Sequence, residues 1–387
     1  MRAPQISSVR TKKHLALTRN RYSGADLSTA ITPECGPDDV LIAPRFVGLC
    51  GTDVQVYRRG QEAVANILGH EGVGIVVEVG RAVTSWKQGD AVVFNPVNPV
   101  DPDEVLGLSY DGLFQERVLI QNAESVSWLI HRISHRMLKP IGTLIVPVAT
   151  AIYSARLAST VAGSLGMRRA VVVGDGPIAL INSIVLRLSG YRSVQMIHGS
   201  SSRYRWAVGN GYFEPSNVIP RTGLVAESVK RNFGGMESEA VIVCVPAEAT
   251  EQSANDALGY LKPGGLINFV SSSFPPVISL SGGDVNLSEL QRRNSSGLPS
   301  AGAFEEFVSS AGKLVNISGQ RGVSSSDLHA GIELLTGNSQ LFKSLITDVV
   351  AMDKAVSAIG NSIDWALGRG DGVRSMKTVI ELNKDVF

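Results

Sequence analysis

The chain has 387 residues, 36 Lys+Arg against 35 Asp+Glu, 44% hydrophobic residues and three cysteines, Cys35, Cys50 and Cys244. At roughly 150 residues per domain this length predicts two domains, and the near-neutral charge argues against a nucleic-acid or polyanion partner. Three scattered cysteines exclude a disulfide framework and a four-cysteine structural zinc site.

Arg2, Arg10, Lys12 and Lys13 are followed by no continuous apolar stretch, so the N-terminus does not read as a signal peptide. Up to about residue 125, short β-branched runs broken by glycine and proline, at 40–42, 74–79, 91–94 and 116–120, predict an irregular β-rich domain. From about 150 the pattern changes: a helix over 151–162, a buried strand at 169–173, an apolar helix over 177–189 and a second strand at 194–197. That is a βαβ unit, which strands at 240–245 and 266–270 continue as a parallel sheet. The Ser-, Gly- and Pro-rich stretch 271–310 predicts a long loop or partly helical insertion. Helix and loop follow after 320, then a strand-like 377–382. The most apolar stretch, 170–188, is broken by Gly174, Asp175, Gly176, Pro177 and Arg187, which a membrane span would not accept. The expectation is a cytoplasmic protein of a reducing compartment, without membrane partners.

Gly174-Asp-Gly176-Pro177-Ile178-Ala179 follows a strand and opens a helix, the context a dinucleotide fingerprint requires. Gly174 permits the tight turn, Gly176 lets backbone approach a pyrophosphate, and Ala179 allows close helix-strand packing. Pro177 and Ile178 begin the helix whose N-terminal N-H groups face the phosphates. An ordinary glycine turn is the bland alternative. The second strand ends in His198-Gly199-Ser200-Ser201-Ser202-Arg203-Tyr204-Arg205, with no acid for the ribose 2′-hydroxyl of NAD. Hydroxyl side chains and arginine suit a 2′-phosphate, so NADP(H) is expected, with Ser200, Ser201 and Arg203 as contacts. The competing reading is a solvated basic turn.

Three motifs precede this unit: Gly48-Leu-Cys50-Gly-Thr52-Asp53, Gly69-His70-Glu71-Gly72-Val-Gly74 and Asp111-Gly112-Leu-Phe114-Gln-Glu116. In that order, with the later segments Leu261-Lys-Pro-Gly-Gly265 and Leu345-Ile-Thr, the chain resembles the zinc-containing medium-chain dehydrogenase/reductase family, most closely its sorbitol and threonine dehydrogenase branch. The resemblance implies an α/β protein: a GroES-like β-rich catalytic domain from 1–155 and 311–387, and a Rossmann domain, a doubly wound parallel sheet, from 156–310. It implies hydride transfer between NADP(H) and a secondary alcohol or polyol or its ketone, and a homodimer or homotetramer. It carries over Cys50 and His70 as ligands of one catalytic zinc, with Glu71 as an occasional ligand. It further implies that Asp53 orients His70 and that Thr52 hydrogen-bonds the substrate hydroxyl. Thiolate and imidazole suit zinc, and zinc would act as a Lewis acid. A small buried hydrophobe at Cys50 and a core histidine at His70 are the structural alternatives.

Departures from the family's pattern narrow these expectations. Val146 and Thr150 stand where the family supplies a further ligand, and Gln55 stands where a histidine often ends its proton relay. Glutamine does not exchange a proton near neutral pH as imidazole does. His131 and His135 would share one face of a helix and so could donate a replacement ligand. The stretch 95–111 has no cysteine, which excludes the family's structural zinc. Pocket walls are expected near Tyr57, Phe94, Tyr110 and the 271–310 insertion. The alternative functions are a zinc-free carbonyl reductase, in which Thr52 or Tyr110 positions the carbonyl, and a nucleotide-binding protein with degraded catalysis.

Overall fold

β-Branched runs buried on both faces form strands inside a layered fold, and the chain has two groups of them. The computed structural model describes residues 12–20, 24–59, 64–162, 168–270, 276–295, 304–370 and 375–384. Arg2 and Arg10, and parts 271–275 and 296–303 of the serine-rich segment, lie outside the described residues.

In the first sheet the strand order is Ile346–Ala351, Lys377–Glu381, Val40–Gly48, Glu71–Val79, Ala91–Phe94, Ile130–Arg132. All neighbours are antiparallel except the first pair. Gly48 pairs with Glu71 on one side and with Val379 on the other, so three strands distant in sequence end at one place.

The second sheet has seven strands in the order Val218–Pro220, Ser193–His198, Arg169–Val173, Ser238–Val243, Leu261–Phe269, Leu314–Gly319, Glu305–Val308. All pairs are parallel except the last. Counted from Arg169–Val173, the six parallel strands have the 3-2-1-4-5-6 order of dinucleotide-binding folds. Helices cover both faces, Pro177–Leu188 on one and Ala247–Leu258 on the other.

The Ile145–Ala162 helix joins the two sheets. Leu144, Val148, Ala151 and Leu157 share one buried cluster with Val73 and Val93 of the first sheet and with Ala170 and Val172 of the second. Residues 140–161 are long and apolar enough to cross a membrane, but most of that stretch is buried inside the protein. Its apolarity is what contact with sheets on both sides requires.

Three expectations change. The strand Leu314–Gly319 pairs with Leu261–Phe269, so the parallel sheet extends past the expected return at residue 311. The described parts of 271–310 take the partly helical alternative and not the loop, with the helix Leu287–Arg293, and add strands that were not expected: the hairpin Val277–Leu280 with Gly283–Asn286 and the edge strand Glu305–Val308. Residues 130–132 pair with 92–94 as a strand, which removes the helical spacing of His131 and His135.

Candidate active site

The Val40–Gly48 strand ends beside the C-terminal strand and turns through Leu49 and Cys50 into the helix Gly51–Arg59. A Cβ at Gly48 would lie 2.7 Å from Lys377 Cε and 3.3 Å from Glu71 Oε2, so glycine is what lets Lys377 reach Glu71. Asp53, fully buried in the first turn of the helix, accepts the Cys50 N-H at 2.9 Å and the Gly69 N-H at 3.3 Å. A carboxylate there also suits the positive end of the helix dipole. Its Oδ1 lies 3.3 Å from His70 Nδ1, off the line of a good hydrogen bond, so the contact is chiefly electrostatic.

The third motif shapes the loop that carries His70. Asp111 Oδ1 accepts the Asn66 and Ile67 N-H groups at 2.8 and 2.9 Å, and Leu113 N-H donates to Gly69 O at 2.9 Å.

Cys50 Sγ, one His70 ring nitrogen and one Glu71 carboxylate oxygen all lie within 4.8 Å of one another, the one such cluster among the described residues. Lys377, 5% exposed, forms an ion pair with Glu71. Burial works against its charge, but Glu71 and then Cys50 outweigh it and hold the ammonium above its ordinary range. For His70 too, burial opposes protonation and is outweighed by the charges of Asp53 and Cys50, which raise its pKa. Lys377 is a site residue that the sequence reading missed.

Thiolate, imidazole and carboxylate on one side of a cleft are a donor set for zinc with a position left open. Val146 and Thr150 line the same cleft but add no donor of that kind, and Thr150 Oγ donates to Val146 O at 2.9 Å. The residues present fit a three-ligand site in which Lys377 competes with the metal for Glu71.

The same cleft, about 1350 Å³, reaches the glycine turn. Gly174 has φ +128°, and a Cβ there would stand 2.4 Å from Cys244 O, so both conformation and close approach demand glycine. Gly176 caps the Pro177–Leu188 helix; Pro177 and Ile178 line the cleft and Ala179 is wholly buried. Ser200 and Arg203 line the cleft, Ser200 as the cap of the helix Ser201–Gly209. Ser201 is exposed and is not among the lining residues. Asp175, read in the sequence only as a break in the apolar stretch, reaches the end of the Ser193–His198 strand: its Oδ2 accepts the Gly199 and Ser200 N-H groups at 2.9 and 2.8 Å, and its Oδ1 lies 3.4 Å from Arg203 Nη1.

Thr52 and Gln55 line the cleft, as do Val97, Val105, Leu108 and, from the serine-rich segment, Gln291. The expected aromatic walls are corrected. Tyr57 and Phe94 are buried in the core of the first sheet, and Tyr110 packs against that core, where burial pushes its hydroxyl up to about 12. Tyr110 is therefore not placed to position a carbonyl. His131 and His135 also lie outside the cleft: their Nε2 atoms contact Trp128 O and Gly89 O at 3.0 and 2.9 Å, so neither replaces a ligand.

A β-rich sheet and a dinucleotide-order sheet sharing a cleft with a thiolate-imidazole-carboxylate cluster define a two-domain dehydrogenase architecture. Residues 36–129 match the alcohol dehydrogenase GroES-like domain. The chain is 29% identical to sorbitol dehydrogenase of Gallus gallus over 63% of this chain and 72% of the relative. It is 26% identical to D-xylulose reductase of Scheffersomyces stipitis over 68% of this chain and 76% of the relative. Its fold matches crystalline 2R,3R-butanediol dehydrogenase of Bacillus subtilis with a TM-score of 0.69 at 19% identity, covering 96% of this chain and 100% of the other. Residues 36–129 thus match a medium-chain alcohol dehydrogenase domain, the chain is similar to alcohol and polyol dehydrogenases over most of its length, and it is an oxidoreductase of that type.

Proposed function

We propose that this protein transfers a hydride between a nicotinamide dinucleotide and a secondary alcohol or polyol, or the corresponding ketone, with one zinc ion held by Cys50, His70 and Glu71. The observation that carries the reading is the single cleft in which this donor cluster and the Gly174–Gly176 turn both lie. When bound, zinc supplies Lewis-acid polarisation of the substrate oxygen. Asp53 fixes the imidazole of His70, as partners of metal-bound histidines do. Thr52, two residues after Cys50 at the start of the Gly51–Arg59 helix, hydrogen-bonds the substrate hydroxyl. Gln55 can orient that network but cannot ionise, so the proton leaves through water. Leu144, Val146, Val97 and Leu108 keep the path of the hydride apolar. The N-terminus of the Pro177–Leu188 helix receives the pyrophosphate.

For the coenzyme, the expectation of NADP(H) is supported by Arg203, a cation in the first turn of the helix that follows the Ser193–His198 strand, and by the lack of an acid on that strand end. Asp175, which holds the same donors, supports NAD(H). A cytoplasmic location, a homodimer or homotetramer, and a catalytic domain assembled from both ends of the chain are parts of the same proposal.

A zinc-free carbonyl reductase is the second reading, and it is favoured by the Lys377 ammonium already paired with Glu71. Elemental analysis of the purified full chain decides between them. The expected result is one zinc per chain, lost in Cys50→Ala together with a fall of about a hundredfold or more in coenzyme-linked oxidation of secondary alcohols and polyols. Full activity without bound metal would sink the zinc reading and leave the second.

A further inference from the structure

The glycine turn carries a carboxylate that a phosphate-binding loop does not need, and its side chain is folded back onto the neighbouring strand end. Asp175 Oδ2 accepts both main-chain N-H groups at that end, Gly199 at 2.9 Å and Ser200 at 2.8 Å. Asp175 Oδ1 faces the Arg203 guanidinium at 3.4 Å. Arg203 is held in turn by its Nη2, which donates to Ser375 O at 3.5 Å, and its Nη1 lies over Gly176, 3.1 Å from where a Cβ would be.

Two converging amides and a guanidinium are the donors that a 2′-phosphate on the adenosine ribose would require. Here an internal anion has taken them. A phosphate entering the same place would have to displace the carboxylate from three donors and then lie beside its charge, in a part of the cleft where Asp175 and Arg203 are both largely shielded from water. A ribose 2′-hydroxyl meets no such obstacle, since it donates to a carboxylate. NAD-binding folds place that carboxylate at the end of the second strand; this strand ends in His198 and Gly199, and the acid arrives from the turn instead.

Resting on the dinucleotide reading above, we infer that Asp175 is the residue that selects the coenzyme, accepting the ribose 2′-hydroxyl and excluding a 2′-phosphate, so that the site takes NAD(H) in preference to NADP(H).

Fluorescence titration of the full chain with NADH and NADPH tests this, with calorimetric titration of ADP and adenosine 2′,5′-bisphosphate isolating the ribose end. The wild type is expected to bind NADH at least about tenfold more tightly than NADPH. Asp175→Ala is expected to raise NADPH affinity about tenfold and to weaken NADH, and Arg203→Ala added to it should remove the gain for NADPH. Asp175→Asn keeps an acceptor for the two amides without the charge; it guards against a folding defect and should also raise NADPH and adenosine 2′,5′-bisphosphate affinity. A wild type that prefers NADPH, or a preference unchanged in both Asp175 variants, overturns the inference while the dinucleotide reading stands. Failure of NADH, NADPH and ADP alike to bind overturns the dinucleotide reading itself, and this inference with it.

Discussion

At the scale of single residues, the cluster around Cys50 is set by contacts of very different sequence range. Asp53 meets the Cys50 N-H three residues away, and motif reading names both. Lys377 meets Glu71 across 306 residues, and no local pattern announces it. The available signal was a charged residue opening an apolar strand-like run, since a lysine so placed is rarely buried unless paired. The pairing predicts a linkage to metal. Lys377→Met leaves the Glu71 carboxylate buried and uncompensated, which should cost about 3–5 kcal/mol in urea unfolding of the metal-free protein. Added zinc, itself a counter-charge for Glu71, should recover much of that loss. An equal loss with and without zinc would show that Glu71 does not meet the metal.

At the scale of elements, legibility followed hydrophobic pattern. The strands at 169–173 and 91–94 were plain because uninterrupted β-branched runs have few other uses. The helix Gly51–Arg59 was not, because Thr52, Val54 and Val56 favour strand over helix. The Cys50 N-H held by Asp53 and the burial of Tyr57 in the core of the first sheet decide in favour of helix. His131 is a similar case, pulled from an imagined helix into a strand whose ring contacts His329 of the Ser325–Gly337 helix at 5.2 Å. Burial lowers the pKa of His131, with the neighbouring His329 adding to the effect against the Trp128 carbonyl. The sign follows: above the ordinary value of 6.5 the ring is neutral in both folded and unfolded chains and its stabilisation is complete. Below it the unfolded chain takes up the proton first, and stability falls as pH drops towards the folded value. Melting curves at about pH 7.5 and 5.5 should therefore show a smaller acid loss for His131→Asn than for the wild type; parallel losses would rule the ring out.

At the scale of the whole molecule, two kinds of contact tie the sheets together. Asp103, in the loop without cysteines, pairs with Arg292 and with Arg321, the latter at 3.3 Å, but its side chain is half exposed. Such pairs contribute about 0–1 kcal/mol each. The Ile145–Ala162 helix is packed into both sheets, and truncating a side chain there leaves a cavity. Asp103→Ala should accordingly cost about 1 kcal/mol or less in denaturant unfolding, and Leu157→Ala about 2–5 kcal/mol. The opposite ranking would mean that charge, and not apolar burial, holds the sheets in register. By itself the sequence determined the parallel sheet and its glycine turn, because each is written in a short pattern whose chemistry has few alternatives; Cys50, His70 and Glu71 came as expected donors from the resemblance of whole motifs, and the structure brings the three within 4.8 Å of one another. Only the tertiary structure decided that Lys377 closes on Glu71, that Tyr57, Phe94 and Tyr110 leave the cleft, and that Asp175 reaches the amides at the end of the Ser193–His198 strand. Those outcomes depend on which strands become neighbours, and long-range pairing is fixed by the burial of whole faces, which a local pattern does not encode.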